Sequence, residues 1–250
     1  MSGKLSAVVL LAALVCCPVK GFAYRPFATE DAGVAGRGVA QLELSRDYLN
    51  WNGDKEDTLL FVPVYGVTPE LELSAEIPYN FHDYKGEPGR SGIGDVNLVG
   101  KYLLLEEKEA RPALVLKSAV KTKSGSEEKG LGSGDVDYHV AAAASKTIGA
   151  ATLHGMLGYT FMGANGNAVI RNIYLYGLAA DCRVTDKFHV AAEIAGNKHP
   201  DRTARQDPLS GLLGFTRQLA DKLVLDAGVR YGFNKAMPKW SSTVGVSITF

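Results

Sequence analysis

The residues whose types and spacing could have a chemical role are charged side chains at alternate positions of extended segments. Side chains four residues apart in a strand lie on one face, so Lys117 and Lys121 share a face, as do Glu72 and Glu76. Such a face can attract, repel or guide ions and polar solutes. The spacing therefore indicates an electrostatic surface rather than a catalytic centre.

Both signs of charge occur on this predicted inward face, so ion pairs between neighbouring strands are expected. These pairs could tune the permeation of solutes, or they could merely satisfy one another inside a narrow, nearly closed barrel. The candidate lumen and permeation residues are Glu43, Glu72, Glu76, Asp95, Lys101, Lys117, Lys121, Asp135, Asp137, His139, Glu193, Asp226 and Arg230.

A hydrolytic centre is the main catalytic alternative. His139 and His154 are predicted to face inward on adjacent strands, and neither lies beside an outward Ser, so the nucleophile and base of a membrane-embedded lipid hydrolase are not recognisable. No Asp/His cluster has zinc or calcium spacing. No helix follows the two Gly-x-Gly-Asp-Val segments to hold a phosphate. The sequence predicts no catalytic residue, no metal and no cofactor.

Extended segments in which apolar and polar residues alternate must position the charged side chains. Between positions 223 and 233, for example, apolar residues alternate with Asp226 and Arg230. About twelve segments of this kind can be counted, and nearly every charged strand residue lies opposite the Leu, Val and aromatic face. The segment 58–67 is apolar throughout, so its facing is ambiguous.

The connections between these segments alternate strictly between short and long. Those near Thr68 and Thr185 are short, whereas 50–57, 82–92 and 123–134 are longer and polar. An up-and-down barrel with small periplasmic turns and larger outer loops requires this alternation, and a Greek-key sandwich does not. The predicted fold class is all-β, a transmembrane antiparallel up-and-down β-barrel of about 12 strands.

The chain ends on a strand that alternates apolar and polar residues and stops at Phe250. This ending resembles the C-terminal recognition strand of outer-membrane barrels, so Phe250 is the predicted insertion signal. Aromatic residues also gather near predicted strand ends, as two interfacial girdles would. An ordinary amphipathic edge strand is the alternative.

Three regions are predicted along the chain. Residues 1–23 form a signal peptide with a basic start, an apolar stretch and the small residues of Gly21-Phe22-Ala23, and cleavage is expected after Ala23. An N-terminal membrane anchor is the alternative. Residues 24–38 are irregular and should lie in the periplasm or plug the lumen, because irregular backbone cannot face lipid. Residues 39–250 form the barrel.

Composition excludes several classes of function. The 27 basic and 27 acidic residues balance, so no nucleic-acid partner is expected. Beyond the first residues, no apolar run is long enough for a membrane-spanning helix. Removal of the signal peptide would leave Cys182 as the single cysteine, so no intramolecular disulfide is expected.

The opening of the predicted mature chain resembles a known family. The segments Arg25-Pro26-Phe27-Ala28-Thr29-Glu30-Asp31-Ala32-Gly33, Gly36-Arg37-Gly38 and Gln41-Leu42-Glu43 look like the start of the outer-membrane transporters associated with the meta-pathway of phenol degradation. The Gly-x-Gly-Asp-Val segments and the aromatic C-terminus are similar too. The resemblance implies an outer-membrane barrel and a channel for small aromatic or hydrophobic compounds, and it carries over no binding residues.

The leading functional prediction is a passive outer-membrane channel or uptake protein for small solutes, not an enzyme. The alternatives are a structural or assembly barrel whose surface loops do the work, and a lipid hydrolase. The expected partners are outer-membrane lipids, the barrel-assembly machinery and a small-molecule solute.

Overall fold

A computed structural model describes residues 25–163 and 169–250. The predicted signal peptide, Tyr24 and residues 164–168 lie outside these described residues. Within them, no helix is long and apolar enough to cross a membrane.

All regular structure in the described residues is antiparallel β-strand. The thirteen strands are β1 (Ala40–Trp51), β2 (Asp54–Gly66), β3 (Leu71–Asp83), β4 (Arg90–Ile93), β5 (Asn97–Leu105), β6 (Ala113–Lys121), β7 (Asp137–Ile148), β8 (Ala151–Phe161), β9 (Ile173–Thr185), β10 (Phe188–Asn197), β11 (Leu209–Ala220), β12 (Leu223–Gly232) and β13 (Trp240–Thr249).

The strands close into a barrel. Consecutive strands pair with each other except β4 with β5, and β1 also pairs with β13 through a register that includes Gln41 opposite Thr249. Both β4 and β5 pair with β3, as two halves of one interrupted strand. The wall therefore has twelve strand positions, and the predicted fold class is confirmed.

The two faces of the wall differ in polarity as predicted. Leu157, Leu178 and Leu213 are about 70% exposed on the outside, whereas Asp226 and Ala191 on the inside are fully buried. A continuous exposed belt of Leu, Val and aromatic side chains is stable in lipid rather than in water. The chain is an outer-membrane barrel, and by the usual orientation its short turns face the periplasm.

Outward aromatic residues cluster near both rims. Tyr231 packs edge-on against Trp240 with ring centroids 4.7 Å apart, next to Phe233. Near the opposite rim Phe188 packs against Phe215 at 5.7 Å. Aromatic side chains are enriched at the two membrane–water interfaces, where these clusters lie.

The predicted strict alternation of short and long connections is wrong at the first hairpin. β1 continues to Trp51 and β2 begins at Asp54, so a tight turn replaces the long loop expected at 50–57. Asn52 and Gly53 both have positive φ, 55° and 120°, which suits the Asn-Gly turns that join twisted strands. The structure also resolves the facing of β2, with Val62 and Val64 inside and Phe61 outside.

The first Gly-x-Gly-Asp-Val segment interrupts the wall between β4 and β5. Gly92 and Ile93 end β4, and the ladder is interrupted from Gly94 to Val96. A Cβ on Gly94 would lie 2.5 Å from the Asn80 side chain and 3.2 Å from the Leu131 carbonyl oxygen. The glycine thus lets loop 122–136, hereafter the infolded loop, pack on the inner wall.

A candidate functional site in the occupied lumen

Residues 25–38, the N-terminal segment, lie inside the barrel. None of these described residues belongs to a strand, although Thr29 and Ala32 are almost fully buried. The segment leaves the barrel rim where the Gly38 amide donates to the Gly66 carbonyl at 2.8 Å. Its buried residues contact inward-facing side chains of the wall.

Backbone amides of the N-terminal segment are bound by side chains of the wall. Thr29 donates to Glu193 at 2.6 Å, and Ala35 donates to Glu72 at 2.5 Å. Ala32 donates to the Ser145 hydroxyl at 2.8 Å. Irregular backbone needs such partners when it leaves water, and hydrogen bonds to carboxylates are among the stronger ones.

Two acidic residues of the N-terminal segment pair with two lysines of the wall. Glu30 lies 2.5 Å from Lys117 and 3.6 Å from Lys101, and Asp31 lies 3.2 Å from Lys101. The Lys101 side chain is only 3% exposed. A lysine so buried requires counterions, and the N-terminal segment provides two of them.

The first described residue of the N-terminal segment contacts the opposite wall. Arg25 lies 3.2 Å from Asp47 on β1 and 3.6 Å from Asp226 on β12, and it also contacts Thr243 on β13. The contacts of the segment therefore extend along the inner wall from β3 to β12. A separate wall pair, Arg230 with Glu193 at 2.6 Å, holds the carboxylate that binds Thr29.

Inward-facing glycines of the wall give the N-terminal segment its space. A Cβ on Gly177 would overlap the Thr29 hydroxyl, and one on Gly66 would overlap the backbone of Gly36. A Cβ on Gly214 would lie 2.9 Å from the ring of Pro26. Each glycine is at an inward position of its strand, so the N-terminal segment fills the space that a side chain would take there.

A second charged cluster lies near the outer rim. Lys121 is 2.5 Å from Asp137 and 3.8 Å from Asp95, and it donates to the Ser133 hydroxyl at 2.6 Å. Asp95 also accepts from the amides of Gly125, at 3.0 Å, and Ser133, at 2.8 Å. These bonds hold the infolded loop against the inner wall, which narrows the mouth.

The mouth also contains an aromatic pocket of about 440 Å³ between the first hairpin and the β3–β4 loop. Trp51 and Tyr84 line it together with Asp54, Glu56 and Glu87. Tyr84 donates to Glu56 at 2.8 Å. Burial and this hydrogen bond raise the pKa of Tyr84 to about 12, so the phenol remains a donor at neutral pH.

The structure brings most of the predicted lumen residues together, in groups that include N-terminal residues. Lys117 joins Glu76 at 3.3 Å, and His139 bonds only to the Thr160 hydroxyl, at 2.9 Å, among the described side chains. Glu43 accepts from Gln41 at 2.8 Å. Two of the predicted lumen residues are not in strands: Asp95 lies in the interruption between β4 and β5, and Asp135 belongs to the infolded loop.

Sequence reasoning missed Arg25, Glu30 and Asp31, because an irregular segment has no period from which its facing can be read. It also missed the role of the wall glycines. Glycines at inward positions of otherwise regular strands, such as Gly177 and Gly214, were the available signal for a close backbone approach.

Ser145 and His154 form a pair that the sequence did not predict, with 2.8 Å between the hydroxyl oxygen and Nδ1. The pair faces the lumen, and the serine hydroxyl accepts a hydrogen bond from the Ala32 amide. A lipid hydrolase would need such a pair on the outward face, where its substrate lies.

Comparison with known proteins agrees with this architecture. A family profile described as "Putative MetA-pathway of phenol degradation" matches residues 23–250. No curated protein matches the sequence.

Among solved structures, the chain is similar to an outer membrane channel from Pseudomonas putida F1, with a TM-score of 0.68, 14% identity, and coverage of 90% of this chain and 99% of that one. It is also similar to the NanC porin, with a TM-score of 0.58, 10% identity, and coverage of 83% and 98%. A KdgM porin in complex with disordered oligogalacturonate gives a TM-score of 0.58, 10% identity, and coverage of 84% and 99%. At these identities the likeness shows the fold.

Proposed function

The chain belongs to the family described as "Putative MetA-pathway of phenol degradation", and on this premise we propose that it is a passive outer-membrane channel for small solutes. The observation that carries the proposal is a lumen lined by charges of both signs inside a barrel with an apolar exterior. A purely structural barrel could fill its interior with apolar side chains at lower cost, since unpaired buried charges are expensive.

We propose that the N-terminal segment is the plug of this channel, and that residues 1–23 are removed as a signal peptide. Most anchors of the segment are hydrogen bonds, ion pairs or contacts with glycines. Such contacts can exchange with water, unlike a strand that is part of the barrel ladder. Solute flow would then depend on how the segment moves or on the space left beside it.

The lumen offers both polar and apolar contacts. Beside the lysines, Val115, Ala141, Ala143 and Met156 form a buried apolar cluster on the inner wall, with Ala32 of the N-terminal segment packed into it. A small aromatic compound with one polar group would match this mixture better than a highly charged solute. Together with the family description, this supports small aromatic compounds as the solutes.

No enzymatic activity is proposed. The structures compared above are titled as channels and porins. In addition, the Ser145 hydroxyl is already bonded by the N-terminal segment and faces away from lipid.

Planar-bilayer recording on refolded protein tests the proposal. The chain from Tyr24 to Phe250 should give small currents, and deletion of Arg25 to Val34 should raise the single-channel conductance while heat-modifiable gel mobility is retained. Flux of phenol-sized neutral solutes into liposomes should rise in parallel. A folded deletion variant that passes neither ions nor solutes would refute the channel.

A further inference from the structure

The aromatic pocket at the mouth is built by the first hairpin and the loop that follows β3. Trp51 on β1 is paired with Asp54 on β2, and Glu56 is two residues further along the same face of β2. Tyr84, the first residue after β3, donates its hydroxyl hydrogen to Glu56 at 2.8 Å. The strand register therefore places an indole ring, two carboxylates and a phenol around one cavity of about 440 Å³.

The carboxylates of Asp54 and Glu56 have neutral donors only. Asp54 accepts a hydrogen bond from the Lys85 amide at 2.8 Å, and Glu56 accepts the one from Tyr84. In the part of the chain that the structure describes, these are the only hydrogen bonds of the two carboxylates, and neither has an ion pair there. Their two negative charges therefore have no direct cationic partner among the described side chains.

The cations near the pocket do not remove this charge. Arg90 lies 2.5 Å from Glu87, the third carboxylate of the pocket, and so neutralises that group. Lys85 is the one lysine or arginine among the described lining residues, and it is exposed, so water and salt screen its field. The charge of Asp54 and Glu56 therefore gives the pocket a negative potential.

Trp51 supplies an aromatic ring that is available to a ligand. Tyr84 is already engaged, since His82 stacks on it with ring centroids 5.4 Å apart and Arg90 lies 5.3 Å from its centre. No ring or cation of the described residues stacks on Trp51, which is half-buried. Indole is the aromatic side chain that binds cations most strongly. A ligand in the pocket can therefore stack on Trp51 beside the charge of Asp54.

We propose that the aromatic pocket binds a small aromatic amine in its protonated form, and that it is the first site at which such a solute meets the channel. The ammonium has three N–H donors for the Asp54 and Glu56 carboxylates, while the ring of the amine packs on Trp51. A cavity of this size is typical for one small ligand. An aromatic carboxylate would be repelled, and a neutral alcohol would leave the charge of the pocket uncompensated.

As a solute class for the channel, aromatic amines rest on the function proposed above, but their binding at the pocket can be measured without any current. Fluorescence of Trp51 reports it. The chain has two tryptophans, and the other one, Trp240, is 55% exposed on the outer face. Trp240→Phe therefore leaves an emission that comes from the pocket alone.

Refolded Trp240→Phe protein titrated with benzylamine at pH 7 should show a saturable change in this emission. Benzyl alcohol should bind about tenfold or more weakly, and benzoate should not bind, because the charge-assisted hydrogen bonds are lost with the first and replaced by repulsion with the second. Added salt should weaken the binding of benzylamine more than that of benzyl alcohol.

Asp54→Asn combined with Glu56→Gln, in the same background, should lower the affinity for benzylamine about tenfold or more and leave that for benzyl alcohol unchanged. Both amides keep an oxygen that can accept the existing hydrogen bonds. The control is Asp57→Asn, next to Glu56 in sequence but paired with Arg46 on the outer face, and it should retain full affinity. Heat-modifiable gel mobility shows that each variant is folded.

Benzoate or benzyl alcohol binding as tightly as benzylamine would overturn the proposal, as would an unchanged affinity for benzylamine in the folded double variant. If that variant does not fold, the ligand series and its salt dependence in Trp240→Phe protein still distinguish a cation site from a merely apolar pocket. Saturable binding of benzylamine to a barrel that does not conduct would refute the channel and not this inference. A conducting barrel that binds no benzylamine would refute this inference alone.

Discussion

The ammonium of Lys117 on β6 lies 2.5 Å from the Glu30 carboxylate of the N-terminal segment. Lys117 also lies 3.3 Å from Glu76 on β3, so one wall cation is shared between the barrel wall and the N-terminal segment. Lys121, four residues further along the same strand, pairs instead with Asp137 near the mouth. Both lysines therefore add to the electrostatic potential of the lumen. Lys117 binds the N-terminal segment, whereas Lys121 binds residues near the mouth.

Replacing both lysines, Lys117→Gln and Lys121→Gln, should make the channel more selective for cations. The wall loses two positive charges while Glu76, Asp95 and Asp137 remain. The shift should be largest at low salt, where the Debye length is roughly 30 Å at 0.01 M. Reversal potentials across a KCl gradient measure it.

The matched control for this pair is Lys146→Gln, since Lys146 forms its ion pair with Glu107 at the periplasmic rim rather than in the lumen. Its reversal potential should equal that of wild type. If the double variant folds and conducts with an unmoved reversal potential, the two lysines do not face the ion path.

The barrel could be predicted from the sequence because the pattern that produces it lies within each strand. A strand with one face in lipid and the other in the lumen must alternate with period two, and this period is visible in single segments such as β12. The turn at Asn52-Gly53 was predictable in principle too, from a dipeptide whose residues tolerate positive φ.

The occupied lumen was not predictable from the sequence, because its contacts join residues far apart in the chain. Glu30 meets Lys117 across 87 positions and Thr29 meets Glu193 across 164. Irregular backbone has no periodic pattern that shows where its side chains point. The sequence could therefore show that residues 24–38 avoid lipid, but could not show which wall residues bind them.

Gly177→Ala should loosen the N-terminal segment without opening the barrel. The new methyl group would overlap the Thr29 hydroxyl, and overpacking of this kind costs about 1–3 kcal/mol. Higher conductance and faster proteolysis of the segment are expected. Gly155→Ala is the control, because its Cβ would meet Leu178 at an ordinary 3.5 Å. Equal conductance in both variants would mean that Thr29 does not need this site.

Deleting Phe250 should lower the abundance of the protein in the outer membrane several-fold. Phe250 is half exposed on the outer face, and its amide donates to the Ala40 carbonyl at 2.8 Å, next to the seam between β1 and β13. We expect the assembly machinery to bind this aromatic end during insertion. Quantitative immunoblots of outer-membrane fractions measure the effect, and Phe250→Tyr should insert normally. Wild-type abundance of the deletion variant would remove Phe250 as an insertion signal.

An epitope inserted between Thr203 and Ala204 should be labelled on intact cells. This loop, between β10 and β11, is closed on itself by Asp207, which binds the His199 amide at 2.9 Å and Lys198 at 2.8 Å. Both bonds favour the carboxylate and lower the pKa of Asp207. An epitope at Glu109 in the opposite rim should be labelled only after permeabilisation. The reverse pattern would invert the orientation of the barrel.

Asp95→Ala should release the infolded loop from the inner wall. The substitution leaves the amides of Gly125 and Ser133 without their acceptor and removes one carboxylate facing Lys121. The orphaned buried amide of Gly125 costs about 1–3 kcal/mol, whereas the exposed Ser133 amide can bond to water. This cost is enough to favour an open loop but not to break a twelve-position ladder. Limited proteolysis after Glu127 or Glu128 should therefore accelerate, and current noise should change while heat-modifiable mobility does not.

Asp57→Ala, which removes an exposed carboxylate paired with Arg46 on the outer face, is the control and should leave the loop protected. Loop cleavage at the wild-type rate in Asp95→Ala would show that Leu131, buried against Gly92 and Gly94, holds the loop without the carboxylate.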